Sequence, residues 1–374
     1  MATHIAALSR MLIICSFLTT FVIYRLHFIP IEQLKIDRIQ DEISSNGTIL
    51  ILSMSRRCFG CNDTPWWKEG EISNCDANRC EYYHNKPELY QQSHAVLISG
   101  HTIDLERVPA SRPDGQKWIF YQYESPVHTR QEVVRELAMA FNLTSTYEPS
   151  SDVSSTYGKN FKLDEPCQVS SSWNNTLARV YVERNVRNKT KFVAWFVSRC
   201  HSQSQRELYV QELSKFVPVD IYGKCGKLKC SKKCYQMLEG NYKFYLAFEN
   251  SFCKDYVTEK LFRMLNIDVV PIVLGGANYS KFLPSETFVD VRDFTSPEKL
   301  AKFLKFLDKR KDLYTDYLLR KRAMVCAEEE PYVCRLCKHL HATKRKVTRI
   351  NLLNAWNKTK HCINPENFYR SHFQ

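Results

Sequence analysis

The stretches "KFYLAFE" (residues 243–249) and "DVVPIVLG" (residues 268–275) are nearly unbroken apolar runs, and residues 257–265 between them carry apolar side chains at helical spacing. A run without polar alternation suits a strand covered on both faces. Strand, helix and strand in that order imply a parallel sheet layered with helices, which is an α/β architecture.

The same alternation occurs twice along the chain. In the first half, "TILILSMS" (48–55), "HAVLISG" (94–100) and "KWIFYQYE" (117–124) read as strands. "RQEVVRELAMAF" (130–141) reads as a helix with Val133, Val134, Leu137 and Phe141 on one face. Ser- and Asn-rich residues 150–160 and 170–175 read as loops, and 185–190 as an interdomain linker. In the second half, "KFVAWFVS" (191–198), "VPVDIYG" and "TFVDV" add strands, and residues 203–216 add a helix. Residues 297–307 add another helix, with Ser296 as N-cap and proline at the first helical position. Two such halves suggest two Rossmann-like domains facing a cleft, with ligands at the C-terminal ends of the strands.

One of those strand ends is densely charged. "FYLAFE" ends on Glu249, and Lys254, Asp255, Glu259 and Lys260 follow. With Asp255 as N-cap, Thr258, Glu259 and Lys260 fall in the first helical turn. A lysine there opposes the helix dipole by about 0.3–1 kcal/mol. A bound anion reverses that sign, because free N–H groups and an ammonium both favour it. Adjacent Glu259 and Lys260 point about 100° apart and need not neutralise each other. A solvated first turn with ordinary surface charges is the plain alternative.

The chain has 374 residues, enough for two domains, and its 44% hydrophobic and 25% charged content excludes a disordered or collagen-like chain. Its net charge of +13 fits nucleic acid, an anionic membrane or an anionic substrate equally. Residues 5–24 are apolar apart from Arg10 and small polar groups, close to the ~20 residues of a membrane helix. No small-x-small cleavage site follows, so an uncleaved signal anchor is expected. Beyond Cys15, fourteen cysteines remain of fifteen. Sequons begin at Asn46, Asn62, Asn142, Asn174, Asn188, Asn278 and Asn357. Both features point to an oxidising lumen. The expected layout is a cytoplasmic tail (1–10), a transmembrane anchor (11–29), a stem (30–46), a first domain (47–184), a second domain (185–325) and a Cys-rich basic tail (326–374). The tail's "KHLHATKRKVTR" (338–349) has the composition of a nucleic-acid patch. Behind a signal anchor it meets no nucleic acid, and a solvated or membrane-facing surface is expected.

The long motif "FYLAFENSFCKDYVTEKLFRMLNIDVVPIVLG" resembles the signature of the α1,3-fucosyltransferases, glycosyltransferase family 10, of the invertebrate Golgi type. "WIFYQYESP" (118–126), "FVAWFVSRCHSQSQRELYVQELSKFVPVDIYGKCG" and residues 279–309 extend the resemblance over most of the chain after the stem. It implies a two-domain GT-B fold and a single-pass type II Golgi membrane protein with a lumenal catalytic part. It also implies inverting transfer of L-fucose from GDP-fucose in α1,3 linkage to GlcNAc of N-glycan or glycoprotein acceptors. The runner-up expectation is a catalytically inactive lumenal glycan-binding protein on the same fold.

The resemblance assigns Glu124, in Glu-Ser-Pro, as the base that takes the acceptor hydroxyl proton. It assigns Arg206 and Lys260 to the diphosphate, and Asn250, Tyr256 and Glu259 to the nucleotide sugar. Glu249 is expected to orient the loop rather than touch ligand. No cofactor is strictly required, since basic groups neutralise the leaving diphosphate, and stimulation by Mn2+ or Mg2+ is left open. Cys58-x-x-Cys61 and Cys334-x-x-Cys337 have zinc-ribbon spacing. The resemblance instead implies that the C-terminal pair is tethered by disulfides to the first domain, with partners among Cys58, Cys61, Cys75 and Cys80. Cys225, Cys230 and Cys234 form a candidate loop staple, with Cys200 or Cys253 as partners. The acceptor GlcNAc, core or antennal, is not legible, and its choice is expected to lie in loops 58–86 and 145–175.

Overall fold

A computed structural model describes residues 47–54, 69–72, 75, 79–102, 104–158, 162, 164–230, 233–344 and 348–372. The expected anchor and stem, Cys58, Cys61, Asn46 and Asn62 lie outside them. Among the described residues no helix is long and apolar enough to cross a membrane.

The first domain is built on strands β1 (Ile49–Ser53), β2 (Gly70–Glu71), β3 (Cys80–His84), β4 (Ala95–Ser99), β5 (Lys117–Gln122) and β6 (Leu143–Thr146), in spatial order β2-β3-β1-β4-β5-β6. All pairings are parallel except that of β2 with β3 at one edge. Strands β1, β4 and β5 are buried along their whole length, as the unbroken apolar runs require. Successive side chains feed two different cores. Ile49, Ile51, Leu97 and Ile119 pack on one face, and Leu52, Val96, Ile98 and Phe120 on the other. Helix α1 (Gln131–Glu136) covers the second face with Val133 and Val134. It is shorter than the periodicity predicts, because the chain turns after Leu137 so that Phe141 enters the core beside Trp356.

A two-stranded ribbon of β7 (Gln168–Val169) and a later strand, Met324–Val325, links the domains beside the Cys167–Cys326 disulfide. Helix α2 (Thr176–Arg187) follows, with the Asn175 side chain accepting from the amides of Leu177 and Ala178. It runs through the stretch expected to be a linker. Its Val182 and Val186 are buried in the second domain's core, so residues 176–184 belong to that domain. The Asn-rich composition of 185–190 marks this helix's C-terminus, not a linker.

The second sheet has β8 (Lys191–Phe196), β9 (Val219–Tyr222), β10 (Tyr242–Phe248), β11 (Val270–Leu274) and β12 (Val289–Asp290), in order β12-β11-β10-β8-β9 and all parallel. The helices here are α3 (Arg206–Leu213), α4 (Cys234–Asn241), α5 (Glu259–Leu265), α6 (Pro297–Lys309) and α7 (Lys311–Arg322). Leu300 and Leu304 of α6 pack on one face of the sheet, and Leu261 and Met264 of α5 on the other. Ser296 caps α6 by accepting from the Lys299 amide, as its sequence predicts.

The segment expected to be a tail is woven into both domains. Helix α8 (Tyr332–Ala342) returns to the first domain, where Val333, Leu336 and Leu340 complete one core. Cys75–Cys334 and Cys80–Cys337 fasten it there, as the family resemblance implied, across sequence separations of 259 and 257 residues. The other pairs are Cys200–Cys225, Cys230–Cys234 and Cys253–Cys362. The expected loop staple therefore divides into two local bridges. Cys253 takes no part in it, because the chain's C-terminal turn brings Cys362 alongside.

One sequon is excluded. Asn142 is 2% exposed. Its side-chain oxygen accepts from the Trp118 amide and from Arg112, both at 2.9 Å, and its nitrogen donates to the Thr348 carbonyl. A glycan on Nδ2 has no room at this buried position and would disturb the bond to the Thr348 carbonyl. Asn142→Ala is expected to lower stability by about 1–3 kcal/mol, and peptide mass spectrometry is expected to find Asn142 unmodified. The side chains of Asn174, Asn188 and Asn278 are exposed, and Asn357 is half-buried, capping helix α9 (Lys358–His361).

Candidate active site

The C-terminal ends of β5, β8 and β10 converge between the domains. Glu124 lies two residues beyond β5, Arg206 opens α3 after β8, and Glu249 and Asn250 directly follow β10. Residues 250–258 connect β10 to α5 as a loop that packs directly on Gly276. A Cβ on Gly276 would come within 2.7 Å of the Cys253 backbone, so only glycine admits this approach.

The start of α5 differs from its expected form. Asp255 is not the N-cap; it has a left-handed backbone (φ 54°) in a turn closed by the Tyr256 amide on the Cys253 carbonyl. Thr258 is the cap, its hydroxyl accepting from the Lys260 amide. Threonine directly before Glu259 is a capping signal that the sequence does carry. Shifting the cap places Glu259 and Lys260 at the first two helical positions, with Thr258 outside the helix.

Glu249 sits beneath this turn with no exposed surface. It accepts from the Thr258 amide at 2.8 Å, from the Thr258 hydroxyl at 2.9 Å and from Lys260 Nζ at 3.0 Å. Lys260 also donates to the Thr258 hydroxyl at 2.6 Å and lies 3.5 Å from Glu259, so these two neighbours partly neutralise each other after all. Burial works against the ammonium, but Glu249 and then Glu259 outweigh it and hold Lys260 above the usual lysine value. Its side chain retains 19% exposure and that of Glu259 41%, so both reach solvent.

Arg206 is 3% exposed. One guanidinium nitrogen donates to the Phe248 carbonyl, and the group stands 5.6 Å from the Trp195 ring. Its Nε is buried and has no hydrogen-bond partner among the described residues. Burial lowers the Arg206 pKa while Glu249 and Glu207 oppose the shift, and a guanidinium remains charged. A buried cation with an unmet donor is costly unless an anion joins it.

Tyr256 crosses the domain boundary. Its hydroxyl donates to Glu124 Oε2 at 3.0 Å, and its ring lies 4.9 Å from that of Tyr147. Burial, with Tyr157 and Glu124 nearby, raises the phenol's pKa well above its ordinary value, so it stays a donor. Beside it, the Ser251 hydroxyl donates to the Ser125 hydroxyl at 2.8 Å. Asn250 is buried at the same boundary, its side-chain oxygen 3.3 Å from the Ser251 hydroxyl. Glu124, Tyr256, Glu249 and Lys260 thus form one cluster drawn from both domains, with Asn250 and Arg206 at its edge.

His128 was not singled out from sequence, where it is merely the second residue after Pro126. Its Nε2 is buried without a hydrogen-bond partner among the described residues. Burial is the main cause that lowers its pKa to about 4; Glu124 opposes the shift, and Arg199, His101 and Lys260 add to it. The folded protein therefore binds fewer protons here than the unfolded chain between pH 6.5 and 4, so stability falls as pH drops through that window. His128→Gln is expected to recover about 1–3 kcal/mol relative to the parent at pH 4 and little at pH 7. Denaturant midpoints at the two pH values measure the difference.

The only group of metal-ligating side chains found among the described residues is Cys80, Cys337 and His341. Its two sulfurs are bonded to each other, so no thiolate is available and the zinc-ribbon spacing holds no metal there.

Comparisons with known proteins bear on this arrangement. Residues 45–158 match the family profile described as fucosyltransferase, N-terminal. Residues 186–356 match the profile of glycosyltransferase family 10 (fucosyltransferase), C-terminal. The chain is 39% identical over 247 residues to alpha-(1,3)-fucosyltransferase C of Drosophila melanogaster, covering 63% of this chain and 58% of that protein. It is 37% identical over 295 residues to glycoprotein 3-alpha-L-fucosyltransferase A of the same organism, covering 76% of this chain and 55% of that one. With 4-galactosyl-N-acetylglucosaminide 3-alpha-L-fucosyltransferase 9 of Bos taurus it shares 38% identity over 261 residues, 67% of this chain and 68% of the relative. The chain thus spans little more than half the length of the two Drosophila relatives. A crystal structure of an alpha1,3-fucosyltransferase has the same fold, with a TM-score of 0.53 at 15% identity over 80% of this chain and 90% of the other.

Proposed function

This chain belongs to glycosyltransferase family 10, the fucosyltransferases, and from that premise we propose that it transfers L-fucose from GDP-fucose, with inversion, to the 3-hydroxyl of GlcNAc in glycoprotein glycans. The observation that carries this reading is the 3.0 Å hydrogen bond from Tyr256 to Glu124. It joins the base candidate on one domain to a nucleotide-sugar candidate on the other, which is what in-line displacement between an acceptor and a nucleotide sugar needs.

Glu124 takes the proton of the acceptor hydroxyl as that oxygen attacks the anomeric carbon and the bond from that carbon to the diphosphate oxygen breaks. Arg206 and Lys260 balance the charge that accumulates on the leaving GDP. Part of the Lys260 charge is already offset by Glu249, so the unmet Nε of Arg206 gives the guanidinium the larger share. Glu259, exposed at the start of α5, accepts from ribose or fucose hydroxyls, and Asn250 and Tyr256 hold the loop against the nucleotide sugar. Glu249 positions Lys260 and Thr258 from below. These cations make a metal unnecessary for turnover, with Mn2+ or Mg2+ at most stimulating it.

The six disulfides among the described residues fit a lumenal catalytic part, and with the apolar N-terminal run they support a type II Golgi membrane protein. The deciding experiment is transfer from labelled GDP-fucose to a panel of core and antennal N-glycans, with product linkage determined. Formation of an α1,3-fucosyl GlcNAc is expected, and transfer to no GlcNAc acceptor would refute the reading in favour of an inactive glycan binder.

A further inference from the structure

The matched family region ends at residue 356, yet the chain continues through α9 and a last helix, Pro365–His372, and this extension grips the loop of residues 250–258. Cys362 is bonded to Cys253. On either side of the disulfide the two segments exchange main-chain hydrogen bonds, Lys254 N–H to the His361 carbonyl and Ile363 N–H to the Phe252 carbonyl, both at 2.7 Å. Gln203 ties the same two segments together, accepting from the Phe252 amide and donating to the Ile363 carbonyl, each at 2.9 Å. Phe368 stacks on Phe252 with ring centroids 4.0 Å apart. The Tyr369 hydroxyl donates to the Ser204 carbonyl, and the Ser204 hydroxyl donates to the carbonyl of Glu249. The extension is anchored on the first domain as well, through His361 Nδ1 and Glu148 at 2.6 Å, and the residue just before it, Trp356, donates from Nε1 to the Thr129 hydroxyl at 2.8 Å.

We propose that residues 357–372 are a brace that pre-shapes the donor loop, and that Cys362 is a positioning residue for nucleotide-sugar binding that acts through Cys253. This rests on the donor-binding role proposed above for residues 250–260. The loop has no regular secondary structure of its own and carries a left-handed residue, Asp255, in its centre. Left free, such a segment loses conformational entropy each time a ligand orders it, and that loss weakens binding. Here Gly276 supports the loop on one side and the brace holds it on the other, so the ordering cost is met on folding. Tyr256 and Lys260 lie three and seven residues beyond the bonded Cys253, so the brace fixes the side chains that face both the base and the diphosphate.

The test uses the full-length protein and GDP as probe. Cys253→Ser/Cys362→Ser is expected to raise the Kd for GDP and the KM for GDP-fucose about tenfold or more. The KM for acceptor, and kcat at saturating donor, should stay within about threefold. Cys230→Ser/Cys234→Ser, which removes another bridge of the same domain, is expected to leave the GDP Kd within about twofold. Gln203→Ala keeps the disulfide and removes two of the flanking bonds; it should weaken GDP severalfold, and it decides the matter if the double serine variant does not fold. GDP binding within twofold of the parent in Gln203→Ala and in any folded serine variant overturns the brace. A parent that binds GDP but transfers no fucose refutes the transferase reading alone, and a parent that binds no GDP refutes both.

Discussion

Glu124→Gln is expected to lower kcat by about 10²–10⁴-fold, the range that a positioned general base contributes, while the GDP Kd and the melting temperature stay those of the parent. Glutamine keeps the shape of the side chain and an oxygen that can accept from Tyr256, so the contact at 3.0 Å survives. What disappears is the ability to receive a proton from the acceptor hydroxyl. Single-turnover transfer from labelled GDP-fucose separates this loss from slow product release. Near-normal turnover in the variant would exclude Glu124 as the base. A fall in melting temperature with no change in kcat per folded molecule would make it a structural carboxylate that braces Tyr256.

Lys260→Ala is expected to cost about 3–5 kcal/mol of stability, because it leaves a fully buried Glu249 with only the two Thr258 donors for its charge. Transfer should fall about 10²–10³-fold as a cation beside the leaving diphosphate is lost. The two effects can be told apart with a second change. Glu249→Gln on top of Lys260→Ala removes the stranded charge, so it should restore much of the stability and none of the turnover. Urea midpoints report the first quantity and initial rates the second. Recovery of turnover in the double variant would show that Lys260 serves only to neutralise Glu249.

The sequence was informative where chemistry and fold share one short segment. The unbroken apolar runs named β10 and β11 as strands covered on both faces, and the parallel pairing of both sheets, the β2 edge apart, follows from the alternation with helices. Ser296 and Pro297 identified the start of α6 directly, since a cap is a local signal. The crowding of charge at residues 249–260 was legible for the same reason. Its inner wiring was not. That Glu249 is the buried partner of Lys260, and that Thr258 rather than Asp255 caps the helix, depends on how β11 and Gly276 press the loop inward.

Local composition misled where tertiary packing overrode it. The Asn-rich residues 185–190 look like a linker, yet Val186 and Val182 are spaced to face the second sheet and bury there. Asn142 carries an intact sequon, yet it lies at the edge of β6, where its side chain completes the hydrogen bonding of Trp118. The cysteine count and the sequons indicated an oxidising compartment, but no spacing rule pairs Cys253 with Cys362 across 109 residues.

What the sequence determined by itself, then, is the α/β layering, the family and the residue types of the site, because apolar runs, caps and a long contiguous motif are local and need no partner to be read. The tertiary structure alone decided that Glu124 meets Tyr256 across the domain boundary, that Arg206 is buried with an unmet donor, and that the C-terminal extension is bonded to the loop of residues 250–258. Each of these joins segments 42 to 132 residues apart, and contact at such separations is set by how the two sheets and the tail pack together, which no local pattern encodes.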